Sequence, residues 1–222
     1  MKPKGETLSL IYDQRFKHIT EYRDLVWQIL CTCFFNKFIP ENSKCLDLGA
    51  GYGEFINHIT CGEKLAMDLN PTTRDHLHKG IQFMQQDCSA VWSLDPDYLD
   101  IIFTSNFFEH LPDKDCIERT IYQCHRCLKN DGLFICLGPN IKYIPGAYWD
   151  FWDHHIPLTE SCLAEILKIN GFDIEQLFPR FLPHSMSTGF SPPRFLIKLY
   201  LKLPLLWPLF GKQFLIIARK NS

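Results

Sequence analysis

Between Lys44 and Asn140, short apolar runs alternate with longer stretches in which apolar residues recur every three or four positions. KCLDLG, KLAMDLN, GIQFMQQDC, LDIIFTSN and GLFICLGPN are segments of six to nine residues built on short apolar runs and bounded by turn formers, which predicts strands. YGEFINHIT, PTTRDHLHK and PDKDCIERTIYQCHRCLKN, the last opened by Pro112, have helical spacing. Short apolar runs alternating with helical stretches predict an α/β fold, a Rossmann-like doubly wound, mostly parallel seven-stranded sheet with helices on both faces. Strands covered on both faces read as continuous apolar runs, as these do.

The flanks complete the sheet. From Leu10 to Phe38 the chain reads as a helix or helix pair in which Leu25, Ile29 and Cys33 recur at helical spacing, ending before Pro40. LTESCLAEILKING predicts a helix capped by Thr159 and closed by Gly171; Cys162 stands where a capping box would carry Glu or Gln, so no box is expected. FDIEQLFPRFL and KQFLIIARK supply two closing strands around the helical RFLIKLYLKL. Residues 1–42 are expected to form a helical cap or lid. Residues 43–222 are expected to form the α/β domain, with an acceptor loop at about 139–158 and an apolar helical insertion at about 193–210.

Length and charge narrow the function. A chain of 222 residues builds one core, and a formal charge of -2 offers no general attraction to a polyanion, so no nucleic-acid partner is expected. The ten cysteines fall largely inside apolar runs such as ILCTCFF and LFICLG, where free thiols act as small core residues; this points to a reducing, cytoplasmic setting. In QCHRC, Cys124 and Cys127 share a helix face that His125 leaves, so packing is expected and no metal site. No run approaches the roughly 18 to 20 apolar residues that span a bilayer. RFLIKLYLKLPLLWPLFGK confines Lys198 and Lys202 to a narrow polar face on an otherwise apolar helix. Such a helix suits the core, a homodimer interface or peripheral contact at the inner membrane face, and the sequence leaves all three open.

The chemistry is concentrated after the first strand. LDLGAGYGEF places Gly49, Gly51 and Gly53 at the carboxyl end of that strand, where ligands of doubly wound sheets sit and where a backbone without side chains can approach them closely. The helix after it, beginning near Tyr52, is expected to aim free amides at a ligand. The spacing is G-x-G-x-G followed by Glu54, which lacks the third glycine of a dinucleotide fingerprint, and no Lys-Ser/Thr pair makes a triphosphate loop. Asp68, 21 residues after Asp47, ends the second strand, where a carboxylate can accept both ribose hydroxyls.

Taken together, LDLGAGYGEF, the acid of AMDLN, QQDC and the tail of DIIFTSNFFEHLPD resemble a class I S-adenosylmethionine-dependent methyltransferase over about residues 43 to 138. The resemblance implies S-adenosylmethionine as cofactor, with Gly49, Ala50, Gly51 and Gly53 passing its methionine part and Asp47 orienting the loop or meeting its amino group. It implies Asp68 and the neighbouring Leu69 at the ribose, Asp87 and Cys88 at the adenine, and Asn106 and Phe107 beneath the sulfonium. Tyr12, Arg15, Tyr22 and Arg23 would belong to a segment folded over the cofactor, and Arg23 could pair with its carboxylate. A looser resemblance of the 139–158 loop and the tail is to bacterial methyltransferases associated with surface-glycan synthesis. It implies O-methylation of a small-molecule, sugar or lipid-linked acceptor.

Methyl transfer from a sulfonium is an in-line displacement, so the protein aligns the acceptor and removes its proton. His110 in NFFEHLPD is the first candidate base; His154 and His155, following Asp153 in WDFWDHHIPLTE, are the others. Tyr143, Tyr148, Trp149, Phe151 and Trp152 suit an aromatic rim. Two other classes stay open at this level: a catalytically inactive cofactor-binding scaffold, and an NAD-dependent oxidoreductase, which Glu54 and the missing glycine disfavour.

Overall fold

The computed structural model describes residues 10–11, 14–15, 18–184 and 191–221. Its centre is a seven-stranded sheet in the order β3-β2-β1-β4-β5-β7-β6. The strands are β1 (Lys44–Leu48), β2 (Glu63–Asp68), β3 (Gln82–Gln85), β4 (Leu99–Ser105), β5 (Leu128–Pro139), β6 (Phe172–Leu182) and β7 (Gln213–Lys220). β3, β2, β1, β4 and β5 run parallel, and β7 is antiparallel to both β5 and β6. The doubly wound, mostly parallel sheet expected from the alternation is therefore present.

The period of two along each strand divides the apolar side chains between two cores. Leu46, Leu48, Leu65, Met67, Ile102, Phe134 and Cys136 face one side and pack under α4 (Lys114–Cys127) and α5 (Glu160–Ile169). Cys45, Ala66, Ile101, Phe103, Ile135 and Leu137 face the other, with α1 (Thr20–Cys33), α2 (Glu54–His58), α6 (Arg194–Lys202) and α7 (Trp207–Phe210). α3 (Thr73–His76) is a single turn between β2 and β3. None of the ten cysteines is paired, and seven are buried, as thiols in apolar runs should be.

Several local expectations need correction. α1 buries Trp27, Ile29, Leu30 and Cys31, whereas Leu25 is half-buried and Cys33 exposed, because the bulky Trp27 takes the position against Phe55 and Phe103. α4 is capped by Asp113, whose carboxylate accepts from the Cys116 amide, one residue after the Pro112 expected to open it. Thr159 does carry a reciprocal cap: its hydroxyl accepts from the Cys162 amide at 3.2 Å, and its own amide donates to Cys162 Sγ at 3.2 Å. A thiol thus fills the place of the absent carboxylate. α6 contributes only Leu201 as a buried residue, so its apolar circumference is mostly outside the core. Tyr12 lies outside the described residues.

Candidate active site

β1 and β4 are neighbours at the point where strand order reverses, and their register sets Asp47 beside Phe103. The glycine loop and the Asn106–Phe107 turn therefore leave the same edge side by side. Gly49, Gly51 and Gly53 have φ of +73°, +56° and +73°, a conformation that L side chains resist. At Gly49 a Cβ would also lie 2.2 Å from the Phe107 ring. The amides of the glycine loop are taken: Gly49 and Ala50 donate to Met67 O, Gly51 to Asp68 Oδ2, and Gly53 to Ala50 O. The loop turns back on β2 and satisfies itself, and α2 starts only at Glu54, so glycine here provides close approach rather than a cradle of donors.

A cavity of about 300 Å³ opens over this edge, lined on the glycine-loop side by Asp47, Gly49, Ala50, Gly51, Glu54 and Arg23. Arg23 pairs with the buried Glu54 at 2.8 Å, so the acid that breaks the dinucleotide pattern holds an arginine at the cavity wall. Burial, then the charge of Glu54, raises the carboxyl of Asp47 well above its usual range. Asp68 is fixed by the amides of Gly51 and Asn70, one on each oxygen at 2.8 Å, and burial raises its pKa.

Asp68 and Leu69 lie at the tip of β2 outside this cavity, with Leu69 exposed. Asp87 is also outside, and its Oδ1 accepts from the amide and hydroxyl of Ser89. Cys88 sits beneath it in the core, its thiol pushed up to about 12 by burial. Asn106, in the left-handed region at φ +49°, lines the cavity; Phe107 does not line it and sets its ring against Gly49.

The opposite wall carries the proton chemistry. His110, in the turn after β4, and His154 both line the cavity, with ring centroids 4.8 Å apart. His110 Nδ1 lies 3.0 Å from the backbone carbonyl of Asp153 and 3.2 Å from its Oδ2. A carbonyl only accepts, so Nδ1 donates, and neutral His110 keeps its lone pair on Nε2. Burial works against the His110 cation, but the hydrogen bond and charge of Asp153, with the charge of Glu109, outweigh it and raise the pKa. Arg15 holds the other oxygen of Asp153 at 2.6 Å and lies over the Phe151 ring. Asp153 stays well below the carboxylate range: its hydrogen bonds to His110 and Arg15 overcome its own burial.

His154 is buried and stacked on Phe151, and burial with the charge of His110 lowers its pKa to about 4, so it is neutral. His155 is exposed, does not line the cavity, and contributes its backbone amide to Glu109 O. Of the expected aromatic rim, only Phe151 lines the cavity; Tyr148 is fully buried, while Trp149 and Trp152 are exposed.

Among the described residues, Glu109, His110 and His154 are the one group whose donor atoms converge as metal ligands would, all within 4.8 Å of one another. His110 Nε2 and Glu109 Oε1 stand 3.9 Å apart, wider than the roughly 3.4 Å between tetrahedral ligands about 2.1 Å from an ion. Glu109 Oε1 and His154 Nδ1 are buried without a hydrogen-bond partner among the described residues. The QCHRC segment holds no such group: Cys116, Cys124 and Cys127 are buried in the core and His125 packs on Phe172.

A family model described as a methyltransferase domain matches residues 46–136. That span runs from within β1 to within β5 and holds the glycine loop, Asp68 and the His110 turn. By that match, residues 46–136 form a methyltransferase domain. The enzyme class and the cofactor, S-adenosylmethionine, follow from it. Solved structures agree on the fold. A chain of the complex between the Haloferax volcanii Trm112 methyltransferase activator and a methyltransferase aligns with a TM-score of 0.72 at 15% identity, covering 100% of both chains. A SAM-dependent methyltransferase from Archaeoglobus fulgidus gives 0.69 at 22% identity over 92% of this chain and 99% of that one. The [4+2]-cyclase SpnF gives 0.59 at 15% identity over 90% and 81%. No curated protein sequence matches the chain.

The residues present suit the cofactor: Gly49 and Gly51 leave the cavity edge clear of side chains, and acid and arginine side chains flank the cavity. Trp27, His184 and Gln213 also line it and carried no sequence signal. Gln213 reaches this edge because β7 is antiparallel and starts opposite Pro139, a register that composition does not reveal.

Proposed function

We propose that the protein transfers a methyl group to an oxygen of a small-molecule, sugar or lipid-linked acceptor held between the glycine loop and His110. When bound, S-adenosylmethionine supplies the electrophilic methyl. Gly49, Ala50, Gly51 and Gly53 carry the methionine part past the edge of β1, and Asp47 receives its ammonium. Arg23 faces its carboxylate. Asp68 and Leu69 hold the ribose, Asp87 and Cys88 bound the adenine, and Asn106 with Phe107 supports the sulfonium end.

The observation that carries this reading is the Arg15–Asp153–His110 chain at the cavity wall. Asp153 fixes the Nδ1–H tautomer, which leaves Nε2 to take a hydroxyl proton. Neutral His154 and buried Glu109 shape the wall beside it and exclude water. His155, exposed and away from the cavity, takes no part in proton transfer.

The test is calorimetric titration with S-adenosylmethionine, its demethylated product and NADH, followed by methyl-transfer assays on hydroxylated acceptors. Asp68→Ala should weaken cofactor binding at least tenfold, equivalent to about 1.4 kcal/mol. His110→Ala should leave that affinity intact and lower turnover by about 10². Full turnover in the His110 variant would remove it from proton transfer, and tight NADH binding without the sulfur ligands would remove the methyl donor.

A further inference from the structure

A second cavity, of about 500 Å³, lies between α1 and the α6–α7 segment. Trp27, Asn106, Pro183 and Gln213 line both it and the His110 cavity, so the two meet at these four residues. Beyond the meeting point the walls are aliphatic and aromatic: Val26, Leu30, Leu137, Ile197, Leu199 and Phe210. The two tyrosines there offer no spare donor, since Tyr22 donates to Pro192 O at 2.9 Å and Tyr200 to Phe181 O at 2.6 Å. Polar capacity is confined to the junction, where the buried Gln213 Oε1 has no hydrogen-bond partner among the described residues. The outer rim continues the apolar character: Leu199 is 47% and Phe210 57% exposed, and Leu205 beyond them is 87% exposed.

We infer that the acceptor is an amphiphile, a hydroxylated head at His110 joined to an aliphatic chain that occupies this second cavity. The inference rests on the methyl-transfer reading for the head and on the cavity alone for the chain. Burying a chain here removes apolar surface from water on both partners, and a free polar ligand would gain nothing from it. Continuity with the reacting site favours this occupant over a second copy of the protein, which could cover the rim but would not reach Gln213.

The test uses the full chain and alkyl β-glucosides with one, four, eight and ten carbons, each below its micellar concentration, titrated in the presence of the demethylated cofactor. Affinity should rise about threefold to fourfold per added methylene through the buried part of the chain. Leu199→Asp, at an exposed position that the fold tolerates, should flatten that dependence while leaving S-adenosylmethionine affinity unchanged. Equal affinity for all chain lengths, with methyl transfer to the short glucoside, would overturn the chain site and leave the methyl-transfer reading standing. Chain-length-dependent binding without transfer to any glucoside would keep the chain site and count against the oxygen acceptor. Flat binding together with a Leu199→Asp shift from dimer to monomer in light scattering would assign the face to a second copy and overturn the inference.

Discussion

Asp153 accepts from two side chains that reach it from opposite ends of the sequence, Arg15 by an ion pair and His110 through Nδ1. The arrangement sets the direction of a pH effect. His110 has a raised folded pKa, so the stability it contributes is fully present below its unfolded value near 6.5 and is lost as pH rises through the folded one. As a base it works in the opposite sense, since only the neutral ring accepts a proton, and kcat/KM should climb through that same raised value. Asp153→Asn removes that charge and leaves only Glu109 and the backbone carbonyl of residue 153 against burial, so the His110 pKa falls. The acid limb of the profile should therefore move to lower pH as the maximal rate falls; an unmoved limb would mean that another group titrates. Sequence marked both histidine segments and the acid, yet it paired Asp153 with His154 and His155. Partners 43 positions apart are joined by loop closure, which local pattern does not encode. Asn106 is similar: its left-handed φ of +49° belongs to the turn after β4, and nothing in SNFF announces it.

At the scale of elements, strands were legible because each apolar run is as long as the sheet is deep and is bounded by turn residues. Helix ends were less so, since a cap depends on one or two polar atoms. The Thr159 cap is the instructive case, for the expected missing box is replaced by Cys162 Sγ 3.2 Å from the Thr159 amide. Sulfur is a weak acceptor, so most of the cap's value resides in the Thr159 hydroxyl. Thr159→Ala should destabilise the protein by about 1 kcal/mol, lowering the melting temperature by roughly 2–4 °C for a chain of this size. Cys162→Glu, at an exposed position, restores the usual reciprocal cap and should melt no lower than the parent. A larger loss in the Glu variant would show that the thiol does more than cap. The α6 pattern had three readings on sequence, and its mainly exposed apolar face takes simple core packing out of them for every position but Leu201 and the half-buried Ile197 and Tyr200.

Across the whole molecule, residues 1–42, expected to form a helical cap or lid, include α1, whose packing decides how much the sheet depends on them. Trp27 makes edge contacts with Phe55 and Phe103, and Phe34 and Phe35 after the helix pack on Phe181, with Trp207 also against Phe34. Trp27, Ile29, Leu30, Phe34 and Phe35 are all buried. At about 1.5–3 kcal/mol for each large apolar side chain, their burial is on the order of 10 kcal/mol. That is comparable with the whole net stability of an ordinary domain, about 5–15 kcal/mol. A chain starting at Ser43 should therefore fail to melt cooperatively, because the face of the sheet that carries Phe103 and Ile135 would be uncovered. Removing only the first 18 residues spares this cluster and deletes Arg15, so that shorter truncation should still melt as one transition and bind S-adenosylmethionine. Its loss should appear instead in the acid limb of the rate profile, since Asp153 is left to His110 alone and holds its cation more strongly, shifting the limb to higher pH. A cooperative melt of the chain starting at Ser43 would place α1 outside the folding unit.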